Sequence, residues 1–275
     1  MTSIKLFRGG FGHVSMLNVA SDLVTHAHPE AHIIVWLNGE PGEMQVDEAT
    51  IRPGPNVAVG VNSFEPHSHR FATVSPPGSF LAFYLDPAWA LPRRGLRHGA
   101  RLFRNAAIHL DDWLRDITIG LFDRLAPAFG AEDFSTYEIE RLIDRLIDAA
   151  DCQPTVDPKA ARAAAALDFR VRKAIELMRT NVSGRIGLDE VARIVGLSRP
   201  HFFALFKEQT SLTPNVYWNT LRMEEALRQV ECCDESLTAV ACNLGFTTQG
   251  NFTRFFRDHA GVPPTLYREA ARTVA

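Results

Sequence analysis

Hydrophobic positions change period along this chain. Up to residue 85 they come as short runs broken by Gly and Pro: His32–Leu37, Val57–Val61, Phe71–Val74 and Phe80–Leu85. Runs of this length between turn residues predict strands of a small sheet or barrel. From residue 86 the spacing becomes helical, with Trp113, Ile117, Leu121 and Phe122 on one stripe and Ile139, Leu142, Ile143, Leu146 and Ile147 on another. The second stripe is a narrow seam among Glu138, Glu140, Arg141, Asp144 and Arg145. It suits either a helix packed on its own barrel or a helix–helix dimer seam. Residues 154–166 (PTVDPKAARAAAA) hold two prolines and an alanine run with no core pattern, as domain borders do. Beyond them every pattern is helical. The expected architecture is α+β: a barrel over 1–85, a helical region over 86–153 suited to dimerisation, a linker over 154–167 and an all-α domain over 168–275.

The last region repeats itself. Leu188, Val191, Ala192 and Val195 make one apolar face, and Gly196 can take the left-handed turn that stops the helix. Ser198 then stands as an N-cap with Pro200 in the first turn, ahead of Phe202, Leu205 and Phe206 at i, i+3 and i+4. About fifty residues later Leu237, Val240, Ala241 and Leu244 form a helix, Gly245 a turn, and Thr247 or Thr248 a cap before Phe252, Phe255 and Phe256. Each half is a helix-turn-helix, whose second helix can enter a major groove. Val216–Val230 reads as one continuous spacer helix between them.

Charge refines this without deciding it. The chain carries a net −3, but residues 168–275 hold 14 Lys and Arg against 12 Asp and Glu, while residues 1–167 hold 15 against 20. An excess this small binds phosphates through placed contacts, not through a bulk field. Cys152, Cys232, Cys233 and Cys242 form no CxxC pair, which suggests neither a disulfide framework nor a cysteine zinc site. No apolar run approaches the ~20 residues of a membrane helix, and no signal peptide is evident. The expected location is the cytoplasm, with no membrane partner.

Leu237–Arg268 resembles the C-terminal signature of the AraC/XylS transcription regulators. The marks are the Val240-Ala241 pair, Gly245-Phe246, the Gln249–Phe252 helix start, Phe255-Phe256-Arg257, then Gly261, Pro264, Tyr267 and Arg268. Asp189–Leu227 resembles that family's first unit and spacer, although Ser211 stands where a glycine normally closes the first recognition helix; a local change is expected in that turn. The resemblance implies a bacterial regulator that binds double-stranded DNA, and RNA polymerase if it activates. With Phe202, Leu205 and Phe206 buried, Arg199, Pro200, Phe203, Ala204 and Lys207 face outward in the first unit, and with Phe252, Phe255 and Phe256 buried, Gln249, Gly250, Thr253, Arg254 and Arg257 do in the second. Arg254 and Gln249 can make the bidentate contacts that name guanine and adenine. Pro200, Phe203 and Ala204 cannot hydrogen-bond through their side chains. The second unit is therefore expected to supply most base readout, and the first to touch thymine methyls and phosphates through Phe203, Arg199 and Lys207.

The segment HAHPEAHIIVWLNG resembles the first motif of cupin barrels, and Pro53-Gly54 with Pro66-His67 resembles the second. His26, His28, His32 and His67 would then converge, and four imidazoles suit a divalent transition metal such as Zn, Ni, Cu or Fe. Otherwise these histidines line a pocket for a small organic effector together with Trp36, Phe64 and Phe83. Three functions follow: an effector-controlled regulator, acting as a homodimer if the seam pairs; a metal-dependent cupin enzyme fused to helices; or a helical adaptor that has lost DNA binding. The first is favoured, and it is not an enzyme.

Overall fold

The computed structural model describes residues 4–71, 76–97, 99–125, 132–150, 167–183, 186–232 and 234–273. The first half is built from two antiparallel sheets. The larger is ordered β1-β2-β9-β4-β7-β10, from Ile4–Gly9 (β1), Gly12–Val19 (β2), Gly78–Leu85 (β9), Ala31–Asn38 (β4), Val57–Val61 (β7) and Ala107–His109 (β10). The smaller is β3-β8-β5-β6, from Leu23–His26 (β3), His67–Arg70 (β8), Glu43–Val46 (β5) and Ala49–Ile51 (β6). The sheets face each other as an open sandwich, not a closed barrel. Val57–Val61 is a strand as its run predicts, and His32–Leu37 and Phe80–Leu85 lie within β4 and β9. Of the run Phe71–Val74, residues 72–74 lie outside the described residues.

Strand alternation divides the larger sheet into two faces. Ile33, Val35, Leu81, Phe83 and Leu85 point to one side and join a core with the helices Pro87–Arg93 (α1), Asp112–Leu125 (α2) and Glu132–Ala149 (α3). All five members of the charged seam, Ile139, Leu142, Ile143, Leu146 and Ile147, are at most 5% exposed in this core. Of the two readings of the seam, the helix packed on its own sheet is the one found. Residue 85 is consequently no boundary: β10 pairs with β7, and α3 fills the same core, so α1, β10, α2 and α3 complete the sandwich. Most of the expected linker, residues 154–166, lies outside the described residues.

The second half is helical: Phe169–Thr180 (α4), Leu188–Ile194 (α5), Arg199–Thr210 (α6), Pro214–Cys232 (α7), Leu237–Asn243 (α8), Gln249–Ala260 (α9) and Pro264–Thr273 (α10). Its two helix-turn-helix units are α5–α6 and α8–α9. Around α6 the core is largely its own, with Val171, Met178, Val191, Phe202, Phe206 and Trp218. Around α9 it is not. Phe252, Phe256, Val240, Val262 and Tyr267 share one cluster with Leu6, Leu17, Val19, Phe80 and Ala82 from the other face of the larger sheet. Around that cluster the Arg8 guanidinium pairs with Glu231 at 2.5 Å, Tyr267 donates to the same carboxylate at 2.7 Å, and Thr220 donates to Ala27 O at 2.8 Å.

Two glycines end the first helix of each unit in the left-handed region, Gly196 at φ 74° and Gly245 at φ 77°. They differ in surroundings. A Cβ on Gly196 meets nothing within 4 Å, whereas one on Gly245 would stand 1.8 Å from Ser183 O. Gly196→Ala should therefore cost about 1–2 kcal/mol, the left-handed penalty alone. Gly245→Ala should cost clearly more, read as a larger fall in the urea midpoint; equal falls would show that the approach of Ser183 is not limiting.

Candidate nucleic-acid interface and domain-boundary cavity

The turns of both units close alike. Leu197 N–H donates to Ala192 O and Phe246 N–H to Ala241 O, each at 2.9 Å, the six-residue return that follows a left-handed glycine. Thr248, the second of the two threonines considered, caps α9 by accepting from Asn251 N–H, while Ser198 starts α6 without a side-chain bond. The local change expected at Ser211 is absent. Its φ of 62° and ψ of −1° nearly match the 74° and −10° of Gly261, and its N–H donates to Lys207 O as that of Gly261 does to Arg257 O. Serine holds the glycine conformation at a cost of about 1–2 kcal/mol.

Phe202, Phe206, Phe252 and Phe256 are fully buried, and Leu205 and Phe255, the third members of each trio, are half-buried. Arg199, Pro200, Ala204 and Lys207 are exposed on α6, as are Gln249, Gly250, Arg254 and Arg257 on α9; Phe203 and Thr253 are half-buried. Their engagements differ. Arg199 pairs with Asp189 and lies over the Phe203 ring, Gln249 Oε1 accepts from Thr238 at 2.8 Å, and Arg257 reaches Asp258 at 3.3 Å. Among the described residues no ion pair or side-chain hydrogen bond engages Arg254 or Lys207.

A cavity of about 300 Å³ lies where the sandwich meets the helical half. The sandwich contributes Arg8, His13, His28 and Tyr84, α7 contributes Met223 and Glu224, and α9 contributes His259. His26 stands opposite His67 in the β3–β8 pair, their ring centroids 4.2 Å apart, and His28 lies 5.1 Å from His67. One ring nitrogen from each of His26, His28 and His67 falls within 4.8 Å of the others. His32 lies outside that mutual set, with its ring 4.5 Å from His28, 4.7 Å from His67 and stacked on Tyr84 at 5.2 Å. Burial, reinforced by the neighbouring imidazoles, holds His28 and His67 down to about 3 and His26 and His32 well below the usual range. The cluster is therefore neutral at physiological pH, and burial pushes Tyr84 up to about 12.

Trp36, Phe64 and Phe83 do not line this cavity. Phe83 alternates to the opposite face, against the helices, and Phe64 is an exposed turn residue at φ 57°. Trp36 shares the parity of His32 but lies further along β4, opposite Phe80. The sequence reading missed His259, although continuing the stripe from Phe252 through Phe256 arrives at it. It also missed Tyr84, whose partners come from distant strands.

A family model described as "Helix-turn-helix domain" matches residues 191–270. The C-terminal domain is of the AraC type. HTH-type transcriptional regulator YobQ of Bacillus subtilis is 35% identical over 94 residues, 34% of this chain and 39% of that protein. Regulatory protein PocR of Salmonella typhimurium is 33% identical over 112 residues, 40% of this chain and 37% of its own. Both matches thus span well under half of either protein. The crystal structure of apo ToxT from Vibrio cholerae aligns over 96% of this chain and 98% of its own, with TM-score 0.52 and 10% identity, a likeness of fold. No described helix is long and apolar enough to cross a membrane.

Glu224 ties the AraC-type domain to pH. Burial, then the facing Glu30, raises its carboxyl to about 7, against the opposing effect of Arg179. Arg8, His13 and Glu231 line the same cavity. A folded carboxyl that keeps its proton above the unfolded value stabilises most at low pH, and that contribution is lost as pH rises through about 5 to 7. Glu224→Gln should flatten the decline in thermal stability across that range relative to the parent; parallel profiles would remove Glu224 as its source.

Proposed function

We propose that this chain is a sequence-specific DNA-binding transcription regulator of the cytoplasm, controlled by a small molecule taken up between the sandwich and the AraC-type domain. The observation carrying this reading is the pairing of two exposed recognition faces with a cavity lined from both halves. A ligand there touches the sensing and reading parts together, so it can favour one arrangement of them over another. The relatives matched are themselves transcriptional regulators, which supports a non-enzymatic role. Double-stranded DNA is the partner of α6 and α9, and RNA polymerase joins if the outcome is activation.

The cavity also constrains its ligand. Glu30 and Glu224 face it with carboxyl groups, the histidines are neutral, and Arg8 is engaged by Glu231. A compact molecule that donates hydrogen bonds or carries positive charge fits this lining better than a carboxylate does.

Selection of bound DNA from a random pool, with and without candidate effectors, tests the reading; absence of any enriched sequence overturns it. On the selected site Arg254→Ala should cost about 1–3 kcal/mol and relax one base position. Lys207→Ala should weaken selected and random DNA alike. If Arg254→Ala weakens both equally, α9 is not the reading helix.

A further inference from the structure

Three histidines of the cluster have one ring nitrogen paired with a backbone carbonyl. Nδ1 of His26 lies 2.7 Å from Val24 O, that of His28 3.0 Å from Glu30 O, and that of His67 2.9 Å from Glu65 O. A carbonyl only accepts, so each Nδ1 carries the ring proton and each Nε2 is left as a lone pair. The buried His28 Nε2 and His32 Nδ1 have no partner among the described residues. Backbone carbonyls holding one nitrogen while the other points into a shared space is how metal-ligating imidazoles are oriented. Lone pairs gathered without a donor repel one another, and a cation resolves this where another acceptor would not.

A fourth imidazole repeats the arrangement from the other half of the molecule. His259, near the C-terminal end of α9, directs Nδ1 to Phe255 O at 2.7 Å and leaves a buried Nε2 without a partner. Its ring centroid is 6.0 Å from that of His26, and both rings line the same cavity. The His259 ring also packs on that of Phe255, with centroids 4.2 Å apart. We propose that His26, His28 and His67 bind a divalent transition metal ion, and that His259 accepts a hydrogen bond from the water completing its coordination, so that the metal ties the second recognition helix to the sandwich. Three neutral imidazoles and one open position suit Zn²⁺, Co²⁺ or Ni²⁺. The inference does not rest on the DNA-binding reading: a failed DNA selection leaves it standing, and absence of metal leaves that reading standing.

The test is titration of the metal-free full chain with Co²⁺, followed by visible absorption and then competition by Zn²⁺. One Co²⁺ per chain with nitrogen-ligand bands is expected, and no saturable binding at micromolar metal overturns the site without recourse to any variant. His26→Gln and His67→Gln, checked for folding by circular dichroism, should each abolish the bands; a folded variant that keeps them overturns the ligand assignment. His259→Gln should keep one Co²⁺ per chain but weaken it about 10-fold or more, as loss of an outer partner does. It should also lose the metal-induced slowing of amide exchange in α9. Unchanged affinity together with unchanged slowing would overturn the tie to the recognition helix.

Discussion

The six-stranded sheet is wider than the four-stranded sheet that faces it, and this mismatch organises the molecule. β5, β6 and β8 cover the inner face of β7, β4 and part of β9, where Met44, Val46 and Ile51 meet Val59 and Val61. On β1 and β2 this face carries Leu6, Leu17 and Val19, to which the smaller sheet contributes the partly buried Leu23 of β3. Apolar side chains of this size stabilise by about 1.5–3 kcal/mol each when removed from water, so exposing such a row is costly. The second helix-turn-helix unit covers it, with Phe252, Phe256 and Tyr267 entering the same cluster. Removing that unit would expose two cores at once, its own and the sheet's.

One consequence is mechanical asymmetry between the two units. α9 is anchored to the sandwich through a shared core, and the Arg8–Glu231–Tyr267 network closes over that contact. Among the described residues, the core of α6 takes only Ala27 from the sandwich, alongside the Thr220 bond to the Ala27 carbonyl. The chemistry of the faces is unequal in the same sense. Arg254 projects unengaged from the anchored helix, whereas the face of α6 carries Pro200, Ala204 and a half-buried Phe203. Of the two helices, α9 is thus the one whose core is shared with the sandwich.

A second consequence is the cavity. Where the shared core gives way to polar residues, the two halves stop filling the space between them, and His13, His28, Tyr84, Glu30 and Glu224 line what remains. Removal from water decides their ionisation: imidazoles lose their protons and the Glu224 carboxyl keeps its own longer. The result is a pocket of neutral imidazoles and carboxyl groups where the two halves meet.

Much of this was legible from local pattern. The period of Phe202 and Phe206, and of Phe252 and Phe256, gave the buried faces of both recognition helices, and Gly196 and Gly245 gave the turns, because helix spacing and left-handed glycines are properties of neighbouring residues. The clustering of His26, His28 and His67 was legible only through a resemblance, since it depends on β3 pairing with β8. Short polar strands such as His67–Arg70 have no apolar run to announce them, and Phe83 was misplaced because parity names two faces without saying which encloses the cavity. His259 illustrates the limit. Its position on the buried stripe of α9 follows from sequence alone, but that the stripe packs against β3 and comes to His26 was decided by the apolar face of β1 and β2 that α9 covers, a contact between segments more than two hundred residues apart.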